Sequence, residues 1–145
     1  MVVERAEATD LAAVESLLSA NQLPIAGLAS CLPTMIVARH DGRVIGAAGL
    51  ELYPDGALLR SVVVNRDFRG QALGQRLTEA VLSLAEQRSA GQVFLLTTTA
   101  EQFFPRFGFE AIDRDQVPPC VGTSVEFTSA CPTTATVMRK RLSRI

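Results

Sequence analysis

Tryptophan is absent from these 145 residues, tyrosine and histidine occur once each, as Tyr53 and His40, and there are three cysteines. A single histidine leaves too few ligands for a His-based metal cluster. Cys31, Cys120 and Cys131 lack the CxxC spacing of a zinc or redox site, so free thiols and no metal are expected. No run approaches the ~20 apolar residues needed to cross a bilayer, which excludes a membrane span. The opening MVVERAEATDLAAVESLLSA mixes acids into its apolar positions and lacks the basic start and unbroken apolar stretch of a secretory leader; the expected location is the cytoplasm. A dominant charge is missing too. Fourteen Lys and Arg against fifteen Asp and Glu give a formal net charge of -1 and a pI near 5.8, without the broad positive field of a non-specific nucleic-acid binder.

What is present is the balance of one globular domain spanning 1–145, with 48% hydrophobic and 20% charged residues and no repeat or linker. Val2 and Val3 open a short strand. Leu11, Val14, Leu17 and Leu18 then recur at helical spacing behind Thr9 and Asp10, either of which suits a helix cap. A second short helix is expected over Pro24 to Leu32, ended by Pro33. MIVAR, VIGAAGLELY and ALLRSVVV, separated by Asp41-Gly42 and Asp55-Gly56, read as a three-stranded antiparallel meander. Leu73, Leu77, Ala80, Val81, Leu84 and Ala85 line one face of the longest helix, which stops near Gly91. VFLLTTT reads as a strand buried on both faces, AEQFF as a short helix, Phe109 as the start of another strand, and TATVMRKRL as the last strand. Between the last two, Arg114 to Thr134 reads as loop or irregular helix.

The informative feature is the strand SVVV running through NRDF into Arg69-Gly70-Gln71-Ala72-Leu73-Gly74 and on into the long helix. Free backbone N–H groups at a helix start, helped by the helix dipole, form an anion site, and small residues let a pyrophosphate approach closely. Gln75 and Arg76 after Gly74 exclude the Lys-Ser/Thr of a nucleotide P-loop. The preceding meander and the spacing exclude a dinucleotide fingerprint. The pyrophosphate of CoA is the ligand that remains.

On these residues the sequence resembles the GNAT superfamily of N-acetyltransferases, whose signature is Arg or Gln, two residues, Gly, one residue, then Gly or Ala. Arg69, Gly70 and Gly74 fit the pattern commonly seen, and Ala72 stands where the middle glycine is usual. Placed in the first helical turn with negative φ, Ala72 carries little backbone strain and affects only the closeness of approach. Thr98, Ala100, Phe103-Phe104 and Gly108-Phe109 match a second family motif, Asn, Ala, Leu-Tyr, Gly-Phe, and the two motifs together cover about residues 34 to 112. The text around LLTTTA and a late EFxxxCP, Glu126 to Pro132, is similar to small GNAT proteins associated with arsenic resistance and to the acetyltransferase domain of N-acetylglutamate synthases.

The resemblance implies an α/β (α+β) GNAT fold: a mixed, mostly antiparallel sheet of six or seven strands, splayed between the fourth and fifth, with about four flanking helices. It implies acetyl-CoA as cosubstrate, held by Arg69, Gly70, Gln71, Ala72, Leu73 and Gly74 at the pyrophosphate, by backbone groups of Val62 and Val64 along the pantetheine arm, and by Thr98 and Phe104. A backbone N–H of Val63 or Val64 is expected to polarise the thioester carbonyl. The expected partner is a small-molecule amine, an amino acid or a glutamate-like or arsenic-bearing analogue, acetylated by a monomer or homodimer; the alternatives are a peptide or protein N-acetyltransferase and a non-catalytic CoA-binding regulatory module. The family's tyrosine acid is replaced by Phe104, so that role does not carry over. Glu51 and Glu126 are candidate bases, and Arg60 and Arg106 candidate anchors for an acceptor carboxylate.

Overall fold

The structure, a computed structural model, describes residues 1–130 and 133–142, with backbone only for 129 and 130. Cys131, one of the expected free thiols, and Pro132 lie outside the described residues. Seven strands form one mixed sheet: β1 (Val2–Arg5), β2 (Met35–His40), β3 (Arg43–Tyr53), β4 (Gly56–Val64), β5 (Gln92–Thr97), β6 (Glu110–Ile112) and β7 (Thr136–Arg141), in the order β1-β2-β3-β4-β5-β7-β6. β4 and β5 run parallel, and the other neighbours are antiparallel. The meander and its splayed partner are therefore as the sequence predicts.

Two α-helices cover the sheet. The helix α1 (Leu11–Ala20) buries Val14 and Leu18 with Leu28, Cys31, Met35 and Val37 on one face. The longer α2 (Leu73–Gln87) buries Leu77, Val81, Leu84 and Ala85 against Ile36, Ile45, Leu59 and Leu95 on the other. Each large aliphatic side chain so buried contributes roughly 1.5–3 kcal/mol. Asp10 begins α1 by reaching back to the Glu7 amide at 2.7 Å and pairing with Arg39 at 2.6 Å; the bond to Arg39 holds its carboxyl below the usual range.

The two shorter helices differ from expectation. Instead of 24–32, the first is a 3₁₀ segment over Leu28–Thr34 with Pro33 inside it. Instead of AEQFF, the second is Phe104–Phe107 with Pro105 in its first turn. Both contain proline, which lacks an N–H and blocks the α-helical ladder, so the chain settles into the tighter 3₁₀ winding. The stretch after β6 comprises 3₁₀ turns at Arg114–Gln116 and Val121–Thr123 and a π-turn over Glu126–Ala130, in line with the irregular helix expected there. No helix among the described residues is long and apolar enough to cross a membrane.

Candidate active site

The splay of β4 from β5 makes the site. The two strands pair only at Ala57 with Val93 and Leu58 with Phe94. Beyond those rungs they separate around a cleft of about 630 Å³, lined on one side by Leu59 to Val64 and on the other by Leu95 to Ala100 with Phe103 and Phe104. The separation coincides with a bulge, where Ser61 and Val62 together oppose Ala48 between the rungs Arg60–Gly49 and Val63–Ala47. Ser61 has φ of 62°, and such a left-handed residue turns the strand and re-aims its groups. The Asn65 amide donates to Ile45 O at 2.7 Å. By alternation Val63 also turns its backbone to β3, and Val64 presents its N–H and C=O to the cleft. Of the two amides expected to polarise a thioester, Val64 is the one placed to do so.

At one end of the cleft lies the phosphate loop. Asn65 Oδ1 accepts from the Asp67 amide at 2.9 Å and caps a short turn. The chain then extends through Arg69, reverses at Gly70 with φ of 84°, and enters α2. Leu73 is buried and anchors the loop, so the amides of Leu73, Gly74 and Gln75, which have no intrahelical acceptor, are held in place. Arg69 folds back across the mouth, donating from Nε to Val64 O at 3.3 Å and from Nη2 to Asn21 Oδ1 at the end of α1. Ala72 departs from expectation: it precedes the helix with φ of 61°, in the left-handed region, not inside the first turn. There its methyl costs about 1 kcal/mol of backbone strain.

At the other end the sequence-separated Glu51, Arg60 and Glu126 meet. The Arg60 side chain is wholly buried: Nη1 donates to Glu51 Oε2 at 2.9 Å, Nη2 lies 3.7 Å from Glu126 Oε2 and 3.4 Å from Pro24 O, and Nε donates to Ser61 Oγ at 3.0 Å. Gly27, whose φ of 74° favours glycine, packs beside the guanidinium: a Cβ there would lie 3.0 Å from Val125 Cγ1 and 3.3 Å from Arg60 Nη1. Burial alone lowers its pKa, but the bond to Glu51 and the Glu126 charge outweigh it and raise the value. Expected as an anchor for an acceptor carboxylate, Arg60 is instead taken up by two protein carboxylates.

Glu51 accepts further bonds from Tyr53 Oη at 2.6 Å and Ser124 Oγ at 2.5 Å. Neither partner was foreseen, although Tyr53 stands two residues along the same strand face and Ser124 two residues before Glu126. Burial pushes the Tyr53 hydroxyl up to about 12, with the Glu51 bond adding to it. Burial likewise pushes the Cys31 thiol, 4.0 Å from Glu51 Oε2, up to about 11. Glu126 lines the main cleft, whereas Glu51 and Tyr53 line a second cavity of about 460 Å³ on the far side of the ion pair. Only Glu126 of the two candidate bases therefore faces the cleft.

Of the other expected residues, Thr98 lines the cleft. Phe104 also lines it, edge-on to Phe103 and Phe109 at 5.1 and 5.8 Å between ring centroids, so packed rings replace the family's hydroxyl. Arg106 does not join Arg60. It lies outside the cleft lining, stacked on Phe103. No group of three or more His, Cys, Asp or Glu side chains among the described residues is arranged to hold a metal.

A family profile described as Acetyltransferase (GNAT) domain matches residues 32–111, more than half of the chain. An uncharacterized N-acetyltransferase of Chlorobaculum tepidum is 31% identical over 83 residues, 57% of this chain and 53% of its own length. The amino-acid acetyltransferase of Vibrio atlanticus is 32% identical over 84 residues, 57% of this chain but 19% of that protein. The chain thus spans about half of the first relative and a fifth of the second. Among solved structures, Mycobacterium tuberculosis Rv2747 in complex with CoA and NLQ superposes with a TM-score of 0.83 at 24% identity, covering 99% of this chain and 100% of that one. N-acetylglutamate synthase of Neisseria gonorrhoeae, complexed with coenzyme A and N-acetyl-glutamate, gives 0.84 at 18% identity over 99% of this chain and 35% of its own. With its profile match, its splayed sheet and its loop at the start of α2, the chain belongs to the GNAT acetyltransferase family.

Proposed function

We propose that the protein is an acetyl-CoA-dependent N-acetyltransferase whose acceptor is the amine of a small molecule, an amino acid or a glutamate-like or arsenic-bearing analogue of one. The observation that carries this reading is a single cleft joining the phosphate loop to a buried carboxylate, Glu126. The names of the amino-acid acetyltransferase relatives and the CoA complexes of the solved neighbours support it. Acetyl-CoA supplies the activated thioester. The amides of the 69–74 loop and the start of α2 hold its pyrophosphate, and Val62 and Val64 line its arm. The Val64 N–H stabilises developing negative charge on the thioester oxygen.

Glu126 binds the incoming ammonium and takes its proton, leaving a neutral amine to attack. Glu51 and Arg60 are positioning residues: Arg60 sets its guanidinium 3.7 Å from the Glu126 carboxylate, and Glu51 fixes Arg60. A thiol of pKa ~8.5 leaves without strong acid assistance, so Phe104 in place of a tyrosine slows the reaction without preventing it. In a thiol-release assay with acetyl-CoA and a panel of glutamate, other amino acids, their decarboxylated amines, and phosphinic and arsinic analogues, amino acids should turn over best. Glu126→Gln should lower kcat/KM about 10²-fold at neutral pH, recovering at pH 9, where more acceptor arrives neutral, with CoA affinity unchanged. Binding of CoA without turnover of any amine would make the protein a non-catalytic CoA module.

A further inference from the structure

The fold removes Arg106 from the acceptor and gives it another setting. Its guanidinium lies over the Phe103 ring, with Cζ 4.7 Å from the centroid, and its Nε donates to Phe103 O at 2.9 Å. The stack and the bond arise within one turn, so the plane of the group is fixed. Nη1 and Nη2 make no bond to the described residues, and the residue is exposed. Phe103 is itself braced edge-on by Phe104 and Phe107, at 5.1 and 5.2 Å. Its ring stands against the phosphate loop: a Cβ on Gly74 would lie 3.5 Å from Phe103 Cζ. The cation is thus stacked on the ring whose tip meets the first turn of α2.

The ligand proposed for this cleft carries a pyrophosphate and, one sugar further along, a phosphate monoester on its adenosine ribose. A monoester is close to doubly charged at neutral pH, and the two Nη donors of a flat guanidinium match two of its oxygens. We propose that Arg106 is a cofactor-specificity residue that binds the ribose phosphate at the adenosine end of CoA, distinguishing it from the same molecule without that phosphate. This inference rests on the acetyltransferase reading.

Titration calorimetry of the full chain with CoA and with dephospho-CoA, alongside steady-state kinetics, tests it. The wild type should bind CoA about tenfold more tightly than dephospho-CoA, the scale of one charge-assisted pair. Arg106→Ala should abolish that preference, weakening CoA about tenfold while leaving the dephospho-CoA affinity and the acceptor KM within twofold, and Arg106→Lys should retain part of it. Equal binding of the two ligands by the wild type overturns the inference alone. So does an Arg106→Ala variant that weakens both ligands equally or raises the acceptor KM. Failure of the wild type to bind either ligand overturns the acetyltransferase reading as well.

Discussion

The two ends of the cleft handle charge by opposite means. The 69–74 loop offers backbone: amides at the start of α2, shaped by left-handed Gly70 and Ala72. At the acceptor end the side chains of Glu51, Arg60 and Glu126 are buried or nearly so, held by Tyr53 and Ser124. A backbone site needs one contiguous stretch with the right small residues. This side-chain site takes partners from three separate segments, and its charges are tolerable only because they neutralise one another. The first end is therefore robust to loss of any one side chain, and the second is not.

The sharpest way to break that contrast is Arg60→Met. It leaves two carboxylates with no buried counter-ion, and about 3–5 kcal/mol of stability should be lost, read by urea unfolding. Adding Glu51→Gln should restore part of that loss. A cost below about 1 kcal/mol, typical of an exposed pair, would show that the network is solvated and the contrast wrong.

Alkaline pH should act on the acceptor end alone and more gently. The Cys31 thiol rises from 9.0 to about 11 in the fold and the Tyr53 hydroxyl from 10.0 to about 12. Above pH 9 the unfolded thiol releases its proton while the folded one keeps it, so the folded state binds more protons and stability falls as pH rises. The Tyr53 contribution follows above pH 10 by the same sign. Cys31→Ala should flatten the alkaline decline in melting temperature between about pH 9 and 10, and an unchanged slope there would locate the sensitivity elsewhere.

The smallest effect belongs to the loop. Ala72→Gly relieves a left-handed alanine and should raise stability by about 1 kcal/mol or less, because the added freedom of the unfolded chain offsets part of the gain. CoA binding should tighten modestly or stay the same. Substantial weakening would mean that the Ala72 methyl is itself a contact.

Most of the fold was legible in the sequence. Period-two and period-3.6 patterns and the Asp-Gly turns define the meander and α2, because those signals are local. Less legible were the two proline-containing segments, where helix-like text gives 3₁₀ winding in place of an α-helix, and the conformation of Ala72, which depends on how the loop closes.

The strand, turn and helix start around Arg69 to Gly74 could be read from the sequence, since they are contiguous and backbone chemistry varies little with surroundings. It also named Glu51, Arg60, Glu126 and Arg106 as chemically suited residues. Their surroundings come from the tertiary structure, because burial and partners, not residue type, fix what a charge can reach. It closed Arg60 between two carboxylates, turned Glu51 to the far cavity, left Glu126 facing the cleft, and stacked Arg106 on Phe103.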